Sequence, residues 1–172
     1  MSNFDAAVRV VLANEGGLVN NENDSGGITN YGISLCLLKQ LQHDAVADDI
    51  RKLSKNRAIQ IYSSEFWDKA PFDSLTVPEV ATAVFDAAVM SGVGEAIKMA
   101  QRACNEVLEG VSKVDVDGVL GRKTLAAINC VHPQIFLGAF RRERVAFYQD
   151  LVRLNPDDIG FLAGWVHRAM NT

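Results

Sequence analysis

Asn14-Glu15-Gly16-Gly17-Leu18-Val19-Asn20-Asn21-Glu22-Asn23-Asp24-Ser25-Gly26-Gly27-Ile28-Thr29-Asn30-Tyr31-Gly32-Ile33-Ser34 is the stretch on which the reading of this chain turns. An amphipathic run from Phe4 to Leu12 leads into it. Phe4, Val8, Val11 and Glu15 recur at spacings of four, three and four, the period of one helix face. Glu15 therefore falls on the stripe that faces inward. Gly16-Gly17 stops the helix, because glycine accepts the left-handed cap conformation. That leaves Glu15 at the helix C-terminus, where the macrodipole opposes negative charge. A carboxylate in such a place needs a partner or keeps its proton. Burial and dipole both favour the proton, and a carboxyl that holds one near neutral pH can act as a general acid. The plainer alternative is a boundary glutamate, solvated or paired with a nearby Arg.

Asn, Asp, Ser, Thr and Gly dominate from Asn20 to Thr29, the composition of tight turns. They bring a second carboxylate, Asp24, and a hydroxyl, Thr29, back towards the helix end. Two carboxylates and a hydroxyl around a glycine-rich turn suit acid–base cleavage of a glycosidic bond.

Glu15-Gly16-Gly17 followed by Asp24-x-Gly26-Gly27-x-Thr29-Asn30-Tyr31-Gly32-Ile33 resembles the signature of glycoside hydrolase family 108, whose members are N-acetylmuramidases of phage endolysins and bacterial relatives. The resemblance extends through Phe85-Asp86-Ala87-Ala88-Val89 with Gly92, Gln101, Asp117-Gly118-x-x-Gly121-x-x-Thr124-Leu125, and Gly164-Trp165 with Arg168. It includes a C-terminal peptidoglycan-binding region. The pattern is also similar to phage-type lysozymes, whose site combines a Glu, an Asp and a Thr. Asp24 follows Glu15 by nine positions, as in that pattern, and Thr29 follows Asp24 by five, one short of it. The resemblance implies a mainly α, lysozyme-like fold with at most a small β-arm. It implies Glu15, Asp24 and Thr29 as catalytic residues, and Tyr31 and Asn30 as substrate-binding residues. The implied reaction is cleavage of the β-1,4 bond between N-acetylmuramic acid and N-acetylglucosamine, with no cofactor or metal. Inversion suits an Asp–Thr–water arrangement.

The chain has 172 residues with 48% hydrophobic residues, enough for one domain with a sizeable core. Net charge is −4, and no basic run resembles a nucleic-acid footprint. The acidity is concentrated early: Asp5, Glu15, Glu22, Asp24, Asp44, Asp48 and Asp49 face only Arg9 and Lys39 in the first 50 residues. Beyond position 90, ten Lys/Arg balance nine Asp/Glu, a half better suited to an anionic polymer. Cys36, Cys104 and Cys130 lie in apolar contexts and read as buried free thiols rather than a disulfide framework. The N-terminus lacks a signal-peptide pattern, and no apolar stretch reaches transmembrane length. The expectation is a monomer that accumulates in the cytoplasm, inserts stably in no membrane, and reaches the periplasm and wall through a separate holin or export machinery.

In order, Ser2 or Asn3 caps the first helix. Ile28 to Ile33 forms a short strand or extended arm, the one convincing strand. Ser34 caps a helix over Leu35 to Gln42, Asp48-Asp49-Ile50 opens a turn, and Ser54 caps a helix from Lys55 to Trp67. Pro78 opens an almost wholly apolar helix to Met90, so that helix is central. Asp86 inside it caps a neighbouring backbone or pairs with Arg, with a role towards substrate as the alternative. Gly92-Val93-Gly94 separates a glycosidase lobe (1–91) from a helical peptidoglycan-binding-like lobe (92–172), both packed on one core. Glu95 to Leu108 is helical, and Asp117-Gly118 to Thr124 makes a rigid corner. Pro133 starts the longest helix, with Arg141, Arg142 and Arg144 on it as a solvated face or as partners of core carboxylates. Trp165 in the last helix packs on the core or offers a sugar platform.

A peptidoglycan hydrolase accounts for the Glu15 stretch. A non-catalytic wall-binding module would suit the C-terminal half but leave that stretch unexplained. An intracellular interaction protein would leave it equally idle. A metallo-amidase or peptidase lacks the required spacing, since His43, His132 and His167 are far apart, and no cysteine carries a triad motif.

Overall fold

The computed structural model describes residues 2–20, 27–108 and 113–172. Among these, nine α-helices carry the architecture: α1 (Asn3–Glu15), α2 (Leu35–Leu41), α3 (Ala47–Arg51), α4 (Lys55–Glu65), α5 (Pro78–Ser91), α6 (Val93–Val107), α7 (Arg122–Cys130), α8 (Pro133–Leu154) and α9 (Ile159–Asn171). The sheet is small, with strands β1 (Val19–Asn20), β2 (Ile28–Asn30) and β3 (Ile33–Ser34). The expected mainly α fold with a small β-arm is what the chain adopts.

The helix starts follow local chemistry. Ser2 closes a capping box with Asp5 at the head of α1. Ser34 and Ser54 each accept a backbone N–H at the starts of α2 and α4. Pro78 and Pro133 occupy first-turn positions in α5 and α8, where the missing N–H costs nothing. Several expected boundaries shift. The helix expected to reach Trp67 ends at Glu65 and gives way to a 3₁₀ turn over Trp67–Lys69. The acidic turn at Asp48-Asp49 is the start of a one-turn helix, because Asp49 reaches back to the Val46 N–H. Val93 and Gly94 belong to α6, so the glycine break narrows to Gly92 at φ +85.

The β-arm is richer than a single strand. β2 pairs antiparallel with both β1 and β3, with Thr29 opposite Val19 on one side and Ser34 on the other. Tyr31 and Gly32 join β2 to β3, with φ of 51° and 76°. Positive φ at both central residues is the hairpin turn whose twist matches the strands. A two-residue β1 carries too little alternation to stand out in sequence.

Helix α5 is the axis of the molecule. Its Val80, Ala81, Val84, Phe85 and Ala88 are buried, and it packs against α1, α6 and α8. Phe85 meets Phe4, Trp67 and Phe72 edge-on at ring distances of 5.1 to 6.1 Å, an arrangement aromatic quadrupoles favour. One hydrophobic cluster runs from Ala7 to Phe140, so α1–α5 and α6–α8 share a core. The cysteines differ from expectation. Only Cys104 is buried, with burial raising its thiol to about 11, whereas Cys36 and Cys130 are exposed. Both exposed thiols lie on the outer faces of short helices, which local apolar neighbours did not reveal. Among the described residues, no helix is long and apolar enough to cross a membrane.

Candidate active site

Glu15 is the last residue of α1, and Gly16 caps the helix at φ +70°. Its side chain is 18% exposed, and its Oε1 accepts a hydrogen bond from Arg168 Nη1 at 2.8 Å. Of the two ways to tolerate a carboxylate on this stripe, a partner is the one found. That partner comes from α9, 153 positions along the chain.

Arg168 does more than meet Glu15. Its Nε and Nη2 donate to Asp86 Oδ1 at 3.0 and 2.8 Å. Asp86, fully buried in α5, also accepts from Arg144 Nη2 at 2.7 Å and from Asn14 Nδ2 at 3.3 Å. Two carboxylates and two guanidinium groups thus form a compensated set, as burial of charge requires. Burial pushes the Asp86 carboxyl up, but the hydrogen bonds and charge of Arg168, followed by the charge of Arg144, outweigh it and hold the carboxyl below its ordinary range. Burial works to lower Arg168, while hydrogen bonds and charge from Asp86, then the charge of Glu15, raise it above its usual value. The three clustered arginines of α8, Arg141, Arg142 and Arg144, therefore divide. Arg144 is completely buried against Asp86, Arg141 reaches the Thr172 carbonyl at 3.1 Å, and exposed Arg142 pairs with Glu106 at 2.6 Å.

The hairpin turn closes the other side of Glu15. A Cβ on Gly32 would lie 2.5 Å from Cγ of Glu15 and against the Tyr62 hydroxyl. Only glycine lets the turn approach this closely. Tyr62 donates from its hydroxyl to the Tyr31 carbonyl at 2.8 Å, fixing the turn. Burial, then the nearby Glu15 charge, pushes the Tyr62 phenol well above its ordinary range. Oε2 of Glu15 receives no hydrogen bond among the described residues, and Glu15 lines a cavity of about 400 Å³ between the end of α1 and α9.

The remaining expected residues separate. Thr29 lies in β2 with its side chain half-buried. Asn30, expected at a sugar subsite, is 7% exposed, and its Nδ2 donates to the carbonyls of Ile50 and Leu53 at 3.0 and 3.5 Å. Because alternation along β2 turns Ile28 and Asn30 inward and Thr29 the other way, that amide ties the arm to α3 instead of facing a ligand. Tyr31 is half-buried against the core, and its carbonyl serves Tyr62. Asp24 lies outside the described residues, in the connection from β1 to β2.

Arg168, Gly32 and Tyr62, to which the sequence attaches no catalytic or substrate-binding role, stand with Asp86 around Glu15. One signal for Arg168 was present: an inward Glu15 requires a cation, and Arg168 falls three positions after Trp165 on an amphipathic helix. Among the described residues, no group of three or more His, Cys, Asp and Glu could hold a metal ion.

Residues 8–92 match the family model described as "Glycosyl hydrolase 108". Residues 95–170 match the one described as "Predicted Peptidoglycan domain". Among solved structures, the chain is similar to SagA of Brucella abortus, with 29% identity and a TM-score of 0.75 over 98% of this chain and 94% of that one. No curated protein matches it.

Proposed function

The chain belongs to glycosyl hydrolase family 108 and is a lysozyme-like peptidoglycan hydrolase, and from that premise we propose that it cleaves the β-1,4 bond between N-acetylmuramic acid and N-acetylglucosamine with Glu15 as the general acid. One observation carries this reading. Glu15 stands at a cavity, clamped through one oxygen by Arg168, with Oε2 left without a protein partner among the described residues. That oxygen can carry the proton to the glycosidic oxygen as oxocarbenium character develops in the sugar. Arg168, held in turn by buried Asp86, fixes the carboxyl in place, and a fixed acid is worth more than a mobile one.

The second carboxylate in this reading is Asp24, which falls in sequence between β1 and β2, the strand that carries Thr29. Asp24 activates a water on the opposite face of the sugar, Thr29 positions that water, and the reaction inverts. Inverting carboxylates stand roughly 6.5–9.5 Å apart to admit the water. Tyr31 borders the sugar path at the hairpin. The enzyme acts as a monomer and opens walls during phage release or bacterial wall remodelling and toxin release.

Mass spectrometry of the ends released from purified sacculi tests the bond. New reducing ends should be N-acetylmuramic acid. Glucosamine reducing ends or cut peptides would overturn the assignment, and binding without any new ends would return the chain to the non-catalytic wall-binding alternative.

A further inference from the structure

Enzymes that cut within a polymer hold sugars on both sides of the broken bond. Two cavities meet the surroundings of Glu15. One, of about 310 Å³, is lined by Gly32, Leu37, Gln40, Tyr62 and Phe66 of the first matched region. The other, of about 400 Å³, is lined by Asn14, Glu15, Trp165, His167, Arg168 and Asn171. Both fall in the range of small-ligand sites. The second is built largely by α9, which lies in the region matched to the predicted peptidoglycan domain.

We infer that the cavity between the end of α1 and α9 is a saccharide subsite adjoining the scissile bond, with Trp165 as its stacking platform and Asn171 and His167 as its polar contacts. This rests on the reading of Glu15 as the general acid. The inference makes the C-terminal region part of the catalytic groove, not a wall anchor set apart from it.

The chemistry of the lining selects a neutral sugar. The one arginine there is already bonded to Glu15 and Asp86, so it offers little to a carboxylate-rich peptide stem. What remains, beside Met90 and Gly164, is an indole, an imidazole and two carboxamides. An N-acetylhexosamine presents an apolar C–H face for the indole, and hydroxyl and acetamido groups for the amides. Trp165 is half-buried, backed by Phe161 in a stack at 5.9 Å and by Tyr148 at 5.6 Å. A platform held by neighbouring rings loses little entropy when a sugar ring settles on it. His167 and Asn171 are exposed one turn apart, and Asn171 Nδ2 is anchored on the His167 carbonyl at 2.7 Å.

The two tryptophans make the test direct. Trp67 is 4% exposed in the core, so a collisional quencher such as acrylamide reads Trp165. Chitotetraose, a β-1,4 oligomer of N-acetylglucosamine, is titrated into the full-length Glu15→Gln protein, which keeps the substrate intact. The expected result is a drop of about twofold or more in acrylamide quenching, saturating with the saccharide. In the same background, His167→Ala with Asn171→Ala should weaken half-saturation about tenfold, the worth of one or two hydrogen bonds. Quenching unchanged by chitotetraose, or an unaltered half-saturation in the double variant, would overturn the subsite. The two readings fail separately. Muramic acid ends from the wild type with Trp165 unprotected would remove only the subsite. Saccharide protection of Trp165 without new sugar ends would keep a saccharide site on α9 and remove the muramidase, and with it the site's place beside a scissile bond.

Discussion

Two glycine-marked turns, Tyr31-Gly32 and Asp117-Gly118, look alike in sequence and do opposite things. At the second, the polar groups bond to one another and to Gln101 of the preceding helix. Gln101 donates to Asp117 Oδ1 at 2.7 Å, to the Val119 carbonyl at 3.1 Å and to Thr124 Oγ1 at 3.2 Å, and accepts from the Gly118 N–H at 2.9 Å. Asp117 also takes the Val119 N–H at 2.9 Å. The first turn instead abuts a carboxyl from α1, is pinned by a hydroxyl from α4, and shares that carboxyl with a guanidinium from α9. A motif satisfied by near neighbours is a corner of the fold. A motif on which distant elements converge, leaving one carboxyl oxygen unbonded among the described residues, is a candidate site.

The contrast is broken most severely at Glu15. Glu15→Gln keeps size and a hydrogen-bond acceptor for Arg168 but cannot supply an acidic proton. Hydrolysis of purified sacculi should fall ~10²–10⁴-fold, while the thermal midpoint moves by only a few degrees, because Arg168 keeps its bonds to Asp86. A lytic Glu15→Gln protein would take Glu15 out of the site. Next comes Gly32→Ala. The new methyl meets Glu15 and Tyr62 at a φ that side chains rarely adopt, so the carboxyl must move. Displacement of about 1 Å in a catalytic group can cost ~10²-fold in rate, and kcat measured on soluble glycan strands should show a loss of that order.

Much of this contrast could be read in the chain before folding. The four-three-four spacing placed Glu15 inward and Gly16 ended its helix, and both follow from local periodicity. The caps at Ser34, Ser54 and Pro78 are equally local. The Asp117 corner was legible because its partners lie close in sequence. The identity of Glu15's partner was not, since no short-range pattern links α1 to α9, and the same holds for the pairing of Asp86 with Arg144 and Arg168. Asn30 misled because in a three-residue strand one step of register decides whether an amide faces a ligand or the core.

Asp86→Asn separates the site's support from its chemistry. Removing one partner of a buried ion pair costs ~3–5 kcal/mol, since Arg144 loses its counter-charge and Arg168 keeps only Glu15. The pH dependence has a definite sign. The folded Asp86 carboxyl is held below its unfolded value of about 3.9, so its ion pairs contribute stability above that value and lose it as pH falls through the lower folded one. Wild-type melting temperatures should therefore drop on acidification below about pH 4, and the Asn variant, less stable throughout, should lose that part of the acid sensitivity. An equal acid slope in both proteins would show that another carboxylate governs it.

The smallest effect on hydrolysis is expected at the other turn. Gly118 has φ +76°, and a Cβ there would stand 2.9 Å from the Gly94 carbonyl and 3.4 Å from Cε of Lys98. Gly118→Ala thus meets the same two obstacles as Gly32→Ala, a left-handed backbone and a close oxygen. Strain of this kind costs ~1–3 kcal/mol, or a few degrees in thermal midpoint per kcal/mol in a chain of this size. The displaced neighbours here are a carbonyl at the start of α6 and a lysine stem, neither of which touches Glu15, Arg168 or Asp86. Melting curves should therefore shift while kcat on soluble glycan strands stays within about twofold of wild type. The pair of alanine variants isolates the comparison, since the backbone insult is matched and only the groups beside it differ. A Gly118→Ala enzyme with kcat reduced as far as in Gly32→Ala would mean that the corner communicates with Glu15, and the division between a locally bonded corner and a convergent candidate site would fail.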